Sequence, residues 1–151
     1  MTKVISLMVL LLWSLTAQAQ TKSMYDKELA ETLGGDEYGM KLYTFVILKT
    51  GPKKIEDKAV VDSLFRGHMA NIEKLAEAGK LVVAGPMKKN EKSYRGIFIL
   101  DVKTDEEAKR LMEGDPAISE QLLEAEIYQW YGSAALREYL KYHDRIQEKK
   151  M

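Results

Sequence analysis

The sequence predicts an α+β domain of ferredoxin-like βαββαβ order, a four-stranded antiparallel sheet with two helices on one face. Three observations carry this prediction. Apolar residues change period along the chain in the order strand, helix, strand, strand, helix, strand. The two strand–helix–strand units flank one short polar hairpin loop, and right-handed crossovers then leave both helices on the same side. With no cysteine in the 151 residues, no disulfide framework is available and the fold must hold by its core.

The N-terminus stands apart. Met1-Thr2-Lys3 is a short basic start, Val4 to Leu15 is apolar apart from serines, and Ala17-Gln18-Ala19 has the small-x-small form of a signal-peptidase site. Residues 1–19 are expected to be a cleaved secretory signal, with export to the periplasm or medium; the run is short for a membrane span. Residues 20–39, polar and ending in Gly34-Gly35-Asp36-Glu37-Tyr38-Gly39, are expected to be a linker. The folded domain is then 40–133.

Lys41 to Lys49 is rich in aromatic and β-branched residues and is stopped by Thr50-Gly51-Pro52, which predicts the first strand. From Asp57 to Ala78, Val61, Leu64, Phe65, Ile72, Leu75 and Ala76 form one helical stripe, and Gly79 follows at a usual left-handed cap. Leu81 to Ala84 is a second strand, closed by Gly85-Pro86, and Met87 to Ser93 has the composition of a solvated hairpin loop. Tyr94 to Val102 is the third strand. Thr104 and Glu107 form a capping box, with Ala108, Leu111 and Met112 continuing the helix to Gly114-Asp115-Pro116. Ala117 to Leu123 is a turn or a further helical turn, and Ala125 to Tyr131 is the fourth strand. From Ala134 the tail places Leu136, Tyr139, Leu140 and Ile146 among charges, a solvated helix with one apolar side.

Both faces of the strands are apolar. Tyr43, Phe45 and Ile47 alternate with Leu42, Val46 and Leu48, and Ile97 and Ile99 with Phe98 and Leu100. Two helices cover one face, so the other requires a cover. A homodimer stacked sheet to sheet supplies one; the C-terminal helix folded back supplies another. Lys plus Arg and Asp plus Glu both number 23, which gives no basic footprint for nucleic acid, and the balanced tail gives no reason for membrane binding after signal cleavage.

Among polar residues His68 is distinctive. It falls within the apolar stripe, four residues after Leu64 and four before Ile72, so its imidazole faces the body of the protein. Arg95, beside Gly96 on the third strand, is a candidate to hold a substrate carboxylate through a two-point fork, or else to pair with an acid on a neighbouring strand. Gly85 and Pro86 either expose backbone as a pocket wall or end an edge strand. The remaining histidine, His143, lies in the charged tail. No metal cluster, phosphate loop, dinucleotide fingerprint or nucleophile elbow is present, so no cofactor is expected.

The run Phe65-x-x-His68, Leu75 to Pro86 with Ala84-Gly85-Pro86, Tyr94-Arg95-Gly96-Ile97-Phe98-Ile99, Asp115-Pro116 and Glu126-Ile127-Tyr128-Gln129-Trp130 resembles the YCII-related (YciI-like) family of small α+β proteins. The resemblance spans Lys41 to Ser133. It implies a dimeric α/β barrel of two ferredoxin-like subunits and a pocket near a histidine and an aspartate, proposed as a catalytic dyad. By motif these are His68 and Asp115. Relatives of this fold include muconolactone isomerases, dehydrochlorinases of chlorinated aromatics and cofactor-free monooxygenases. The signal segment and charged tail depart from the bare domain of most relatives.

Such a pair, an imidazole oriented by a carboxylate, suits proton abstraction beside a carbonyl or an elimination. The expected function is a cofactor-free lyase, isomerase or hydrolase-like enzyme acting on a small organic acid or aromatic. The rival readings are a binding module that captures a small molecule unchanged, and a dimeric scaffold in which His68 is structural and Asp115 only a helix cap.

Overall fold

A computed structural model describes residues 24–149. The expected signal segment lies outside the described residues. Within them no helix is long and apolar enough to cross a membrane.

The core is a four-stranded antiparallel sheet of β1 (Met40–Thr50), β2 (Leu81–Pro86), β3 (Tyr94–Leu100) and β4 (Leu123–Ser133) in the order β2-β3-β1-β4. This is the ferredoxin-like arrangement. β1 and β4 pair over their whole length, Met40 opposite Ser133 and Thr50 opposite Leu123.

Local chemistry sets the helices. Ahead of the sheet, α1 (Lys27–Leu33) occupies part of the segment expected to be a linker. It has no buried residue, and its caps define it: Asp26 accepts from the Leu29 amide, and Gly34, at φ 72°, donates back to Ala30 and Glu31. α2 (Lys58–Glu77) begins where the Asp57 carboxylate accepts from the amides of Ala59 and Val60, and Gly79 follows its end at φ 66°. α3 (Asp105–Glu113) begins at the Thr104 hydroxyl, which accepts from the Glu107 amide at 3.1 Å. α4 (Pro116–Ser119) is one turn, capped by Asp115 with proline at its start. After β4 the chain forms a 3₁₀ segment, Ala134–Tyr139, and then α5 (Leu140–Ile146). The predicted single tail helix is thus split: the Ser133 hydroxyl accepts from the Ala135 amide and starts a tighter turn first.

One further boundary differs from expectation. β2 runs through Gly85 and Pro86 instead of stopping before them. β2 is an edge strand, where a missing amide breaks no ladder bond.

The helix side of the sheet holds the main core, with Val46, Leu48, Phe98 and Leu100 packed against Leu75, Ala108, Met112 and Ala117. On the opposite face a smaller cluster of Tyr43, Val82 and Ile99 is covered by Leu136 of the 3₁₀ segment. Tyr139 donates its hydroxyl to the Val82 carbonyl, and burial pushes that phenol above its ordinary range. The tail therefore closes one end of this face. Toward the other end Phe45, Ile47 and Ile97 remain partly exposed, with Tyr128 and Trp130 beside them.

Candidate active site

The site is built where α2 crosses the sheet. His68 and Asn71 are three residues apart and share a face of α2. Asp115 sits between α3 and α4. Gly67 lets these pieces meet: a Cβ there would lie 2.7 Å from Cγ of Pro116, so a larger residue would push α4, and Asp115 with it, away from α2.

His68 Nδ1 lies 2.6 Å from Asp115 Oδ2. The Asn71 amide donates to the same oxygen at 3.3 Å, and the Ala117 amide donates to Oδ1 at 3.0 Å. Asp115 is completely buried, yet each oxygen is satisfied, as a buried carboxylate requires. This acceptor selects the imidazole tautomer with hydrogen on Nδ1, which leaves the Nε2 lone pair available. Nε2 has no hydrogen-bond partner among the described residues and is not sealed from the surroundings. The ring is held by stacking on Phe98, centroids 5.9 Å apart, and by the edge of Phe65 at 6.3 Å.

His68 forms part of the wall of an apolar cavity of about 250 Å³. Phe65, Met69 and Ile72 line it from α2, and Leu48, Phe98 and Leu123 from the sheet. Ala84, Gly85, Pro86, Arg95 and Gly96 complete its lining. An apolar cavity of roughly 150 Å³ is enough for benzene, so this one has room for a substituted ring. The steric demand for glycine lies at Gly96, where a Cβ would come 2.8 Å from the Gly85 carbonyl oxygen; at Gly85 a Cβ would meet nothing within 4 Å.

All five residues expected at the site thus border one region: His68, Gly85, Pro86 and Arg95 line the cavity, and Asp115 stands behind the imidazole. Arg95 makes no ion pair among the described residues, where the alternative of a cross-strand acid therefore finds no partner. His143 is exposed on α5. Among the described residues no three acidic or histidine side chains gather as a metal cluster. Asn71 is the participant that sequence reasoning passed over. Its signal was its place one turn after His68 on the buried face of α2, a costly location for an amide without a partner.

The family model of the YCII-related domain matches residues 43–131. No curated protein matches the chain significantly. A solved structure with a similar fold is 5-chloro-2-hydroxyhydroquinone dehydrochlorinase from Burkholderia phenoliruptrix AC1100, in complex with 2,5-dihydroxybenzoquinone. It has 21% sequence identity and a TM-score of 0.42, and the alignment covers 58% of this chain and 92% of that one.

Proposed function

Because the chain belongs to the YCII-related domain family, we propose that it is an exported enzyme that moves a proton on a small organic acid or aromatic compound with its own side chains, a lyase or isomerase. The observation that carries this reading is an imidazole in the wall of an apolar cavity, its Nδ1 held by a buried carboxylate and its Nε2 without a hydrogen-bond partner among the described residues. In the reaction Nε2 takes a proton from a carbon beside a carbonyl. The electron pair left behind delocalises into that carbonyl, or expels a leaving group on the next carbon. The imidazolium so formed stays paired with Asp115 and returns its proton to the product or to solvent. Apolar walls keep water from competing for the charge. A hydrolase-like variant, with Nε2 activating water, uses the same geometry but gains less from these walls.

The test is deuterium incorporation. A panel of unsaturated, keto and hydroxyaromatic acids is incubated in D₂O and followed by proton NMR. Loss of C–H signal with the wild type, reduced to the buffer rate in His68→Asn of unchanged circular dichroism, is the expected result. Equal incorporation by both proteins overturns the proposal.

Self-association belongs to the same reading. The partly exposed Phe45, Ile47 and Ile97, with Tyr128 and Trp130 beside them, form an apolar area that the tail leaves uncovered, and a second copy stacked sheet to sheet is the proposed cover. Ile47 lies between Ile97 and Glu126 in the ladder. Ile47→Asp should halve the mass seen by light scattering while leaving the helical signal in place; an unchanged mass rejects the sheet-to-sheet dimer.

A further inference from the structure

β1 and β3 are not in continuous register. Leu48 pairs with Gly96 but Lys49 pairs with Tyr94, so Arg95 is an extra residue with no partner on β1, a β-bulge. The bulge changes what each side chain can reach. In a regular strand Arg95 would share the far face with Ile97, and Tyr94 would share the helix side with Gly96 and Phe98. Instead Arg95 lines the same cavity as Gly96 and Phe98.

Arg95 also lines a second, polar cleft of about 470 Å³ under the hairpin, with Lys89 and Tyr94. The hairpin that carries Lys89 is shaped by Asn90, whose side chain accepts from the amides of Lys92 and Tyr94 and donates to the carbonyls of Lys88 and Tyr94. Neither Arg95 nor Lys89 has an ion-pair partner among the described residues. The bulge thus sets Arg95, which has no ion pair among the described residues, at the border of both the apolar cavity and the polar cleft.

We propose that Arg95 is a carboxylate anchor and that the ligand is a small amphipathic acid. Its ring or chain fills the apolar cavity beside His68, and its carboxylate sits at that border on Arg95, with Lys89 lining the same polar cleft. The inference rests on the proton-transfer reading only in sharing its cavity. A guanidinium grips a carboxylate through two parallel hydrogen bonds, which a lysine cannot reproduce.

The probes are benzoate and benzamide, one shape with and without the charge, titrated into the full chain and followed by NMR. Benzoate should bind about tenfold more tightly than benzamide, the effect of one charged hydrogen-bonded contact. Arg95→Met should bring the two affinities together by weakening benzoate alone, and Arg95→Lys should restore only part of the difference. Equal binding of both probes to the wild type, binding of neither, or a benzoate preference that survives Arg95→Met overturns the proposal. A preference that depends on Arg95, in a protein that exchanges no proton in D₂O, leaves the anchor standing and removes the enzyme reading. Proton exchange with no such preference does the reverse.

Discussion

Asp115→Asn should abolish proton exchange while leaving the fold nearly intact, and Asp115→Ala should also cost roughly 3 kcal/mol of stability. The two replacements separate two roles. Asparagine keeps an oxygen for the Ala117 amide, which Asp115 Oδ1 now satisfies at 3.0 Å, so the cap of α4 survives. Its NH₂ then faces His68 Nδ1, which must become an acceptor, and Asn71, whose amide turns to present its oxygen; the ring proton moves to Nε2 and the base is lost. A loss on the order of 10²- to 10⁴-fold in exchange rate is expected, with little change in the urea midpoint. Alanine instead leaves His68 Nδ1, the Asn71 amide and the Ala117 amide without an acceptor in a completely buried site. Nitrogen shifts of the His68 ring check the tautomer without any substrate. If Asp115→Asn keeps the hydrogen on Nδ1 and retains activity, Asp115 is a cap and nothing more.

Phe98→Ala should cost about 3 kcal/mol of stability, the low end of the range for a buried phenylalanine. Phe98 is 2% exposed and belongs to the main core, yet it also borders the cavity. Part of its ring already faces open space, so fewer packing contacts disappear than at a position enclosed on all sides. The change also removes the surface on which the His68 imidazole stacks. Urea denaturation gives the first effect. The second appears as broadening of the His68 ring signals, and Phe98→Leu, which keeps most of the volume, should recover the stability but not the ordered ring. A stability loss below about 1 kcal/mol would mean that the core collapses into the cavity, and that the empty space is not maintained by the fold.

The order of elements is readable because each carries a local cause: the capping box at Thr104, the stripe from Val61 to Ala76, the glycine after α2. These act within a few residues, and spacing shows them. His68 and Asp115 are 47 positions apart, and spacing says nothing of whether they touch; the motif resemblance linked them before the hydrogen bond did. Arg95 was legible as a residue but its direction was not. Simple alternation puts it on the far face, and the bulge that redirects it depends on how β1 and β3 register, a property of two strands together. The helix Lys27–Leu33 shows the opposite failure. Its caps, Asp26 and Gly34, are visible in the sequence, but seven polar and apolar residues without a buried stripe read equally well as linker.

The full-length pairing of β1 with β4 puts the two ends of the domain and the cavity at opposite poles of the sheet. Met40 and Ser133 are neighbours at one pole, and the 3₁₀ segment folds back there over Tyr43 and Val82. Leu48 and Leu123, which line the cavity, lie toward the other pole, roughly 30 Å along an eleven-residue strand. Whatever is joined to either end of the domain, an immobilising tag, a fluorescent partner or a solid support, attaches at the pole opposite the cavity-lining Leu48 and Leu123. The domain can therefore be fastened to a surface at its Met40–Ser133 pole with the cavity-lining ends of β1 and β4 remote from the support.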